Sequence, residues 1–127
     1  MIAAHTDQGF RRAYRLQKTD DFSSVFAFRR ALRGRFHTMH YRPNALDTAR
    51  MGVTVAKKLV KHANGRNLVK RIARETFRRL RADLPPYDLI VRLHAPIAVA
   101  RRTELALDLQ QIFARLPAMP GGATSPV

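Results

Sequence analysis

Between Lys57 and Arg81 the chain reads KKLVKHANGRNLVKRIARETFRRLR, ten Lys or Arg with Glu75 as the single acid. Few arrangements accept such a segment. At about 100° per residue, Val69, Ile72, Ala73, Thr76 and Leu80 fall on one stripe, the spacing of a helix face that must be buried. Asn67, Lys70, Arg71, Arg74, Arg78 and Arg81 gather on the opposite side. The rod therefore needs a protein core along one side and an anion along the other. Like charges at the Arg71, Arg74 and Arg78 spacing cost a few tenths of a kcal/mol per pair. A charge run is most often a solvated face, but solvated helices interleave acids with their bases, and this one does not. A row of this kind is favourable when it meets a polyanion.

The rest of the composition narrows the partner. The 127 residues suit one domain, and an apolar share of 46% is enough for a core. Lys and Arg number 24 against 9 Asp and Glu, a formal charge of +15. Most of these cations are Arg, whose fork matches phosphate oxygens in pairs and whose plane stacks on bases. Nucleic acid fits better than an anionic membrane. No stretch approaches the roughly 18 apolar residues that span a bilayer, and no helix sets its cations against a broad Trp, Phe and Leu face. The beginning of the chain has no hydrophobic signal core. With no cysteine, thiolate zinc sites, disulfides and Cys nucleophiles are excluded. The expected compartment is the cytoplasm.

Along the chain, residues 1–16 read as a basic arm, 17–116 as one α+β domain and 117–127 as a disordered, Pro/Gly-rich tail. Thr19 is a candidate N-cap, with Asp20 and Asp21 in the first turn of a short helix running to about Phe28. RFHTMHYR (35–42), MGVTVA (51–56) and YDLIVRL (87–93) read as strands. Leu84-Pro85-Pro86 stops the basic helix. A last helix from about Arg101 to Leu116 buries Leu105, Leu109, Ile112, Phe113 and Leu116. The order α-β-β-α-β-α describes a small single-domain sandwich with helices covering a sheet. Its β-α-β unit over 51–93 is by general rule right-handed.

Several smaller features carry two readings each. Phe22 and Phe26 are an i,i+4 pair that serves either as core packing, about 1.5–3 kcal/mol per ring if buried, or as a stacking platform for bases. Lys57 and Lys58 either solubilise a strand end or lengthen the phosphate track. Asn64 is a candidate N-cap for the basic helix, whose first amides would then favour an anion. His37 and His40, three apart on a strand, fall on opposite faces and cannot share a metal. Tyr41 sits near a strand end with its ring free to face either side, whereas Phe36 packs in the core. No catalytic or metal-binding group is expected among these residues.

One more layer comes from order. GVTVAKK, seven residues, RNLVKRIARETFR and then LPPYDLIVR resembles the protein subunit of bacterial ribonuclease P. Arg66, Asn67, Lys70, Arg71, Arg74, Glu75, Phe77 and Arg78 match that family's central helix, and Lys57 and Lys58 the strand end before it. DDFSSVF at 20–26 is similar to its D-F-x-x-V-F segment. Leu68 stands where the Arg-Asn-Arg signature has its second arginine. The resemblance implies a sandwich with a left-handed β-α-β crossover, a fold shared with one domain of a small-subunit ribosomal protein. It implies that the chain joins a catalytic RNA subunit, which holds the Mg²⁺ ions and removes the 5′ leader of precursor tRNA. Lys57, Lys58, Arg66, Asn67, Lys70, Arg71, Arg74 and Arg78 would then face the RNA subunit, and Phe22, Phe26 and Tyr41 the leader. No small-molecule substrate is implied. A basic ribosomal or other structural RNA-binding protein is the alternative. A nuclease acting through His37 or His40 is a third reading.

Overall fold

The computed structural model describes residues 14–16, 19–96 and 102–118. The expected arm before Tyr14 and the tail from residue 119 lie outside them, as do the side chains of Thr19, Asp20 and Asp21.

Helix α1, Thr19–Phe28, starts at the residue expected to cap it. It stops where Arg29 takes a left-handed conformation, φ 61°, and donates its N–H to the Phe26 carbonyl at 3.1 Å, an ending that glycine more often fills. Then come β1 (Ala31–Arg33), β2 (His37–Pro43) and β3 (Arg50–Thr54). The basic helix α2 spans Ala63–Leu80 and passes through a 3₁₀ turn, Arg81–Asp83, to β4, Tyr87–Leu93. Helix α3, Arg102–Ala114, follows. The sheet order is β1-β2-β4-β3. β2 and β4 pair antiparallel at its centre, β1 extends β2 as a hairpin, and β3 lies parallel to β4 with α2 as the crossover. The α+β sandwich expected from the sequence is present, with β1 as an added edge strand. Of the expected arm, Arg15 bridges Met51 and Leu16 is buried, its N–H on the Met51 carbonyl at 3.1 Å. The packed body thus reaches back to Tyr14.

Alternation along the strands divides the interior in two. Met39, Met51, Leu89, Val91 and Leu93 point to one side, where Val69, Ala73 and Phe77 of α2 and Leu105, Leu109 and Ile112 of α3 meet them. Ile90 points to the other side and packs with Leu16 and Val25 under α1, with Phe22 at its edge. Helix α1 and the basic helix therefore sit on opposite faces of the same sheet.

A buried carboxylate ties α3 to this frame. Asp108 Oδ1 accepts the Arg35 N–H at 2.7 Å, and Oδ2 accepts those of Phe36 and His37 at 2.9 and 3.0 Å. His37 Nδ1 lies 2.8 Å from the same Oδ2. Gly34 leaves room for the group, since a Cβ there would run into Asp108 and Ile112.

Candidate nucleic-acid interface

Helix α2 turns the stripe expected from its spacing inward: Val69, Ile72, Ala73 and Thr76 are buried, joined by Phe77, and Leu80 is half-buried. Thr76 Oγ1 donates to the Ile72 carbonyl at 2.9 Å, which satisfies its hydroxyl inside the core. On the outward face Asn67, Arg71, Arg74, Glu75 and Arg78 line one shallow depression of about 360 Å³. Arg78 reaches back to Glu75 at 3.0 Å, and that salt bridge holds the Glu75 carboxyl below its usual range. Arg74 is half-buried, and desolvation, with the nearby Arg15 charge second, lowers its pKa. A guanidinium in that position gains from an anion that restores its lost solvation.

Not every expected cation joins this group. Lys70 is half-buried on one flank of the row, and Lys57 and Lys58 are exposed on the turn from Ala56 to Val60. Arg66 Nη1 donates to the carbonyls of Val60 and Lys61 at 3.0 and 2.7 Å, so its fork fastens the Lys57–Lys61 loop to the first turn of α2. Arg81, grouped with the outward cations by spacing alone, instead lies over the Tyr14 ring at 3.9 Å and donates to Thr48 Oγ1 at 3.1 Å. It falls in the 3₁₀ turn, where the 3.6-residue period has ended. The N-cap is His62, with no side-chain cap bond, and Asn64 lies inside the first turn. The capping role expected for Asn64 is thus corrected, because the helix starts one residue ahead of it.

Arg66→Ala should leave the Val60 and Lys61 carbonyls without that donor. We expect a loss of about 0.5–1.5 kcal/mol and faster amide exchange at Leu59 and Val60, with Arg66→Lys only partly restoring both. Unchanged exchange in Arg66→Ala would mean the loop holds itself.

On the far face, α1 and the sheet form a second site. Phe22 is half-buried over Gly52, where a Cβ would overlap the end of its ring. Phe26 is 38% exposed, and its ring meets His40 edge-on at 4.8 Å. Burial, with the neighbouring Arg92 charge second, lowers the His40 pKa, and its Nε2 has no hydrogen-bond partner among the described residues. Arg92 is exposed and pairs opposite Thr38 on this face. The cleft thus offers two aromatic edges and a guanidinium, with the His40 ring packed against Phe26 and its Nε2 buried, an arrangement that suits an unstacked base and its phosphate.

Tyr41 is elsewhere. Its ring packs edge-on against Tyr87 at 5.3 Å on the α2 and α3 side of the sheet. The structure brings Phe22 and Phe26 together with His40, for which the sequence alone suggests only a metal or base role. Period-2 alternation carried the signal, because Met39 and Tyr41 flank His40 and face the other way. Gly52→Ala should push the Phe22 ring outward and cost about 1–3 kcal/mol in urea unfolding. A variant as stable as its parent would show that the ring yields freely.

Among the described residues no three of His, Cys, Asp or Glu come together to hold a metal ion, and no helix is long and apolar enough to cross a membrane. The family model for Ribonuclease P matches residues 10–117. The ribonuclease P protein component of Azoarcus sp. is 68% identical over 114 residues, covering 90% of this chain and 95% of that one. That of Chromobacterium violaceum is 45% identical over 107 residues, 84% of this chain and 88% of the other. Among solved structures, the RNase P protein of Staphylococcus aureus superposes with a TM-score of 0.75 at 27% identity, covering 81% of this chain and 94% of its own. The Thermotoga maritima protein gives 0.73 at 26%, with 82% and 98% covered.

Proposed function

The chain belongs to the ribonuclease P protein family, and from that premise we propose that its two faces hold two different RNAs at once. Its family role is that of a protein component in an RNA-based endonuclease that processes tRNA, with an RNA subunit as partner and no catalytic group of its own. The α2 row of Asn67, Arg71, Arg74 and Arg78, flanked by Lys57, Lys58 and Lys70, takes the RNA subunit. The Phe22, Phe26 and His40 cleft takes the single-stranded 5′ leader of precursor tRNA. Arg66 serves the first surface by holding the loop that carries Lys57 and Lys58. As the family resemblance implies, Mg²⁺ is held mainly by the RNA partner, and the assembly works in the cytoplasm.

One observation carries this reading: the cation row and the aromatic cleft lie on opposite sides of one four-stranded sheet. A single RNA-binding surface would suffice for a structural ribosomal protein. Two surfaces facing apart suit a protein that bridges a large RNA and a substrate strand.

The test is Phe26→Ala in the reconstituted holoenzyme. Binding of leader-bearing precursor should weaken about five- to tenfold, on the scale of one lost stacking contact, while mature tRNA binds as before. Equal losses for both would favour a general RNA-binding module. Cleavage of precursor by the protein with Mg²⁺ but without RNA would overturn its non-catalytic role.

A further inference from the structure

Beside the cation row, on the α3 side of α2, lies a groove of about 980 Å³. Its floor is apolar: Leu68, Ile72, Leu80, Leu84, Ala106 and Phe113. Leu68, Leu80, Leu84 and Ala106 are only half-buried, so their side chains are partly open to solvent. Three exposed cations, Arg71, Arg79 and Arg102, stand on the rim. Of the two acids there, Glu75 is engaged by Arg78 and Asp83 is exposed at the end beyond Leu80. Arg71 and Glu75 border both this groove and the depression of the cation row, so the two adjoin.

The occupant must be apolar where it meets the floor and anionic where it meets the rim. A second copy of this chain would bring +15 against +15. The nine residues that follow Ala118, which borders the groove, are MPGGATSPV and carry no charged side chain for the arginines. A nucleotide whose base has left its stack meets both demands, because Arg planes and aliphatic side chains accept a base and the Arg forks accept its phosphate. We propose that this groove receives unstacked nucleotides of the RNA subunit, their bases on Leu68, Leu80 and Ala106 and their phosphates on Arg71, Arg79 and Arg102. The assignment rests on α2 being the face toward that RNA.

The chain has no cysteine, so Gln110→Cys gives a unique attachment point for a photocrosslinker inside the groove. With the RNA subunit transcribed in vitro, irradiation should produce crosslinks to a few unpaired RNA nucleotides. Ala106→Trp, which fills the groove, should weaken RNA-subunit binding about tenfold. Arg79→Glu combined with Arg102→Glu alters only exposed side chains and should give at least the same loss, which covers the case of a Trp variant that melts early. Crosslinks confined to protein would overturn the groove assignment. So would native affinity in the double reversal while Arg74→Ala still binds weakly, and that result would leave the α2 row standing. Native affinity in Arg74→Ala as well would remove the row itself.

Discussion

Asp108→Ala should be among the most damaging single substitutions in the domain, lowering stability by about 3–5 kcal/mol. The methyl group would strand three backbone N–H groups, those of Arg35, Phe36 and His37, and the His37 ring beside them. Both side chains are almost fully buried, so water cannot readily substitute. The effect should appear in urea as a lower midpoint at unchanged slope; a loss under about 1 kcal/mol would show that the turn does not depend on the carboxylate.

The same pair predicts acid sensitivity. Burial pushes the Asp108 pKa upward, but hydrogen bonds from His37 and from the Phe36 and Arg35 amides outweigh it and leave the folded value below the ordinary one. That stabilisation is complete above the unfolded carboxylate pKa and disappears as pH falls through the folded value. His37 is held neutral chiefly by burial, which lowers its pKa against the pull of Asp108. Below about pH 6.5 the unfolded chain takes up a proton that the folded one resists, so stability falls in the same direction. His37→Gln should flatten the upper part of this slope, just below about pH 6.5, and a slope unchanged there would exclude His37 as its source.

The second large effect concerns RNA. Arg71→Ala with Arg74→Ala should lower affinity for the RNA subunit by roughly tenfold per residue near 0.1 M salt, and reduce the slope of log K against log salt by about one each. Arg71 is exposed and Arg74 half-buried on the outward face, so the melting temperature should hardly move. Removing Arg74 also relieves its repulsion with Arg15. Glu75→Gln should strengthen binding, because it removes the negative charge that lies 3.0 Å from Arg78. A salt slope unaffected by the double variant would contradict an electrostatic row.

Periodicity made most of this architecture legible. α1, β4 and the buried stripe of α2 follow from spacing and from the Leu84-Pro85-Pro86 stop. β1 did not, because three residues carry no period and only the partner strand makes them a strand. The Asp108 clasp was equally invisible: its ring partner lies 71 residues away, and a buried acid in an amphipathic helix reads as a surface residue. Within the site, outward charge was readable in Arg71, Arg74 and Arg78. Which cations turn back on the protein was not, since Arg66 and Arg81 are drawn to a loop carbonyl pair and a tyrosine ring that no pattern announces.

The sheet order has a consequence for how the molecule is made. β2 and β3 do not pair with each other; both pair with β4. On the ribosome, the cationic helix emerges with Val69 and Phe77 bare while that central strand is still unsynthesised. Sheet assembly must wait for Tyr87–Leu93, and a nascent chain cut short before Tyr87 would be a sticky basic fragment lacking the strand that joins β2 to β3.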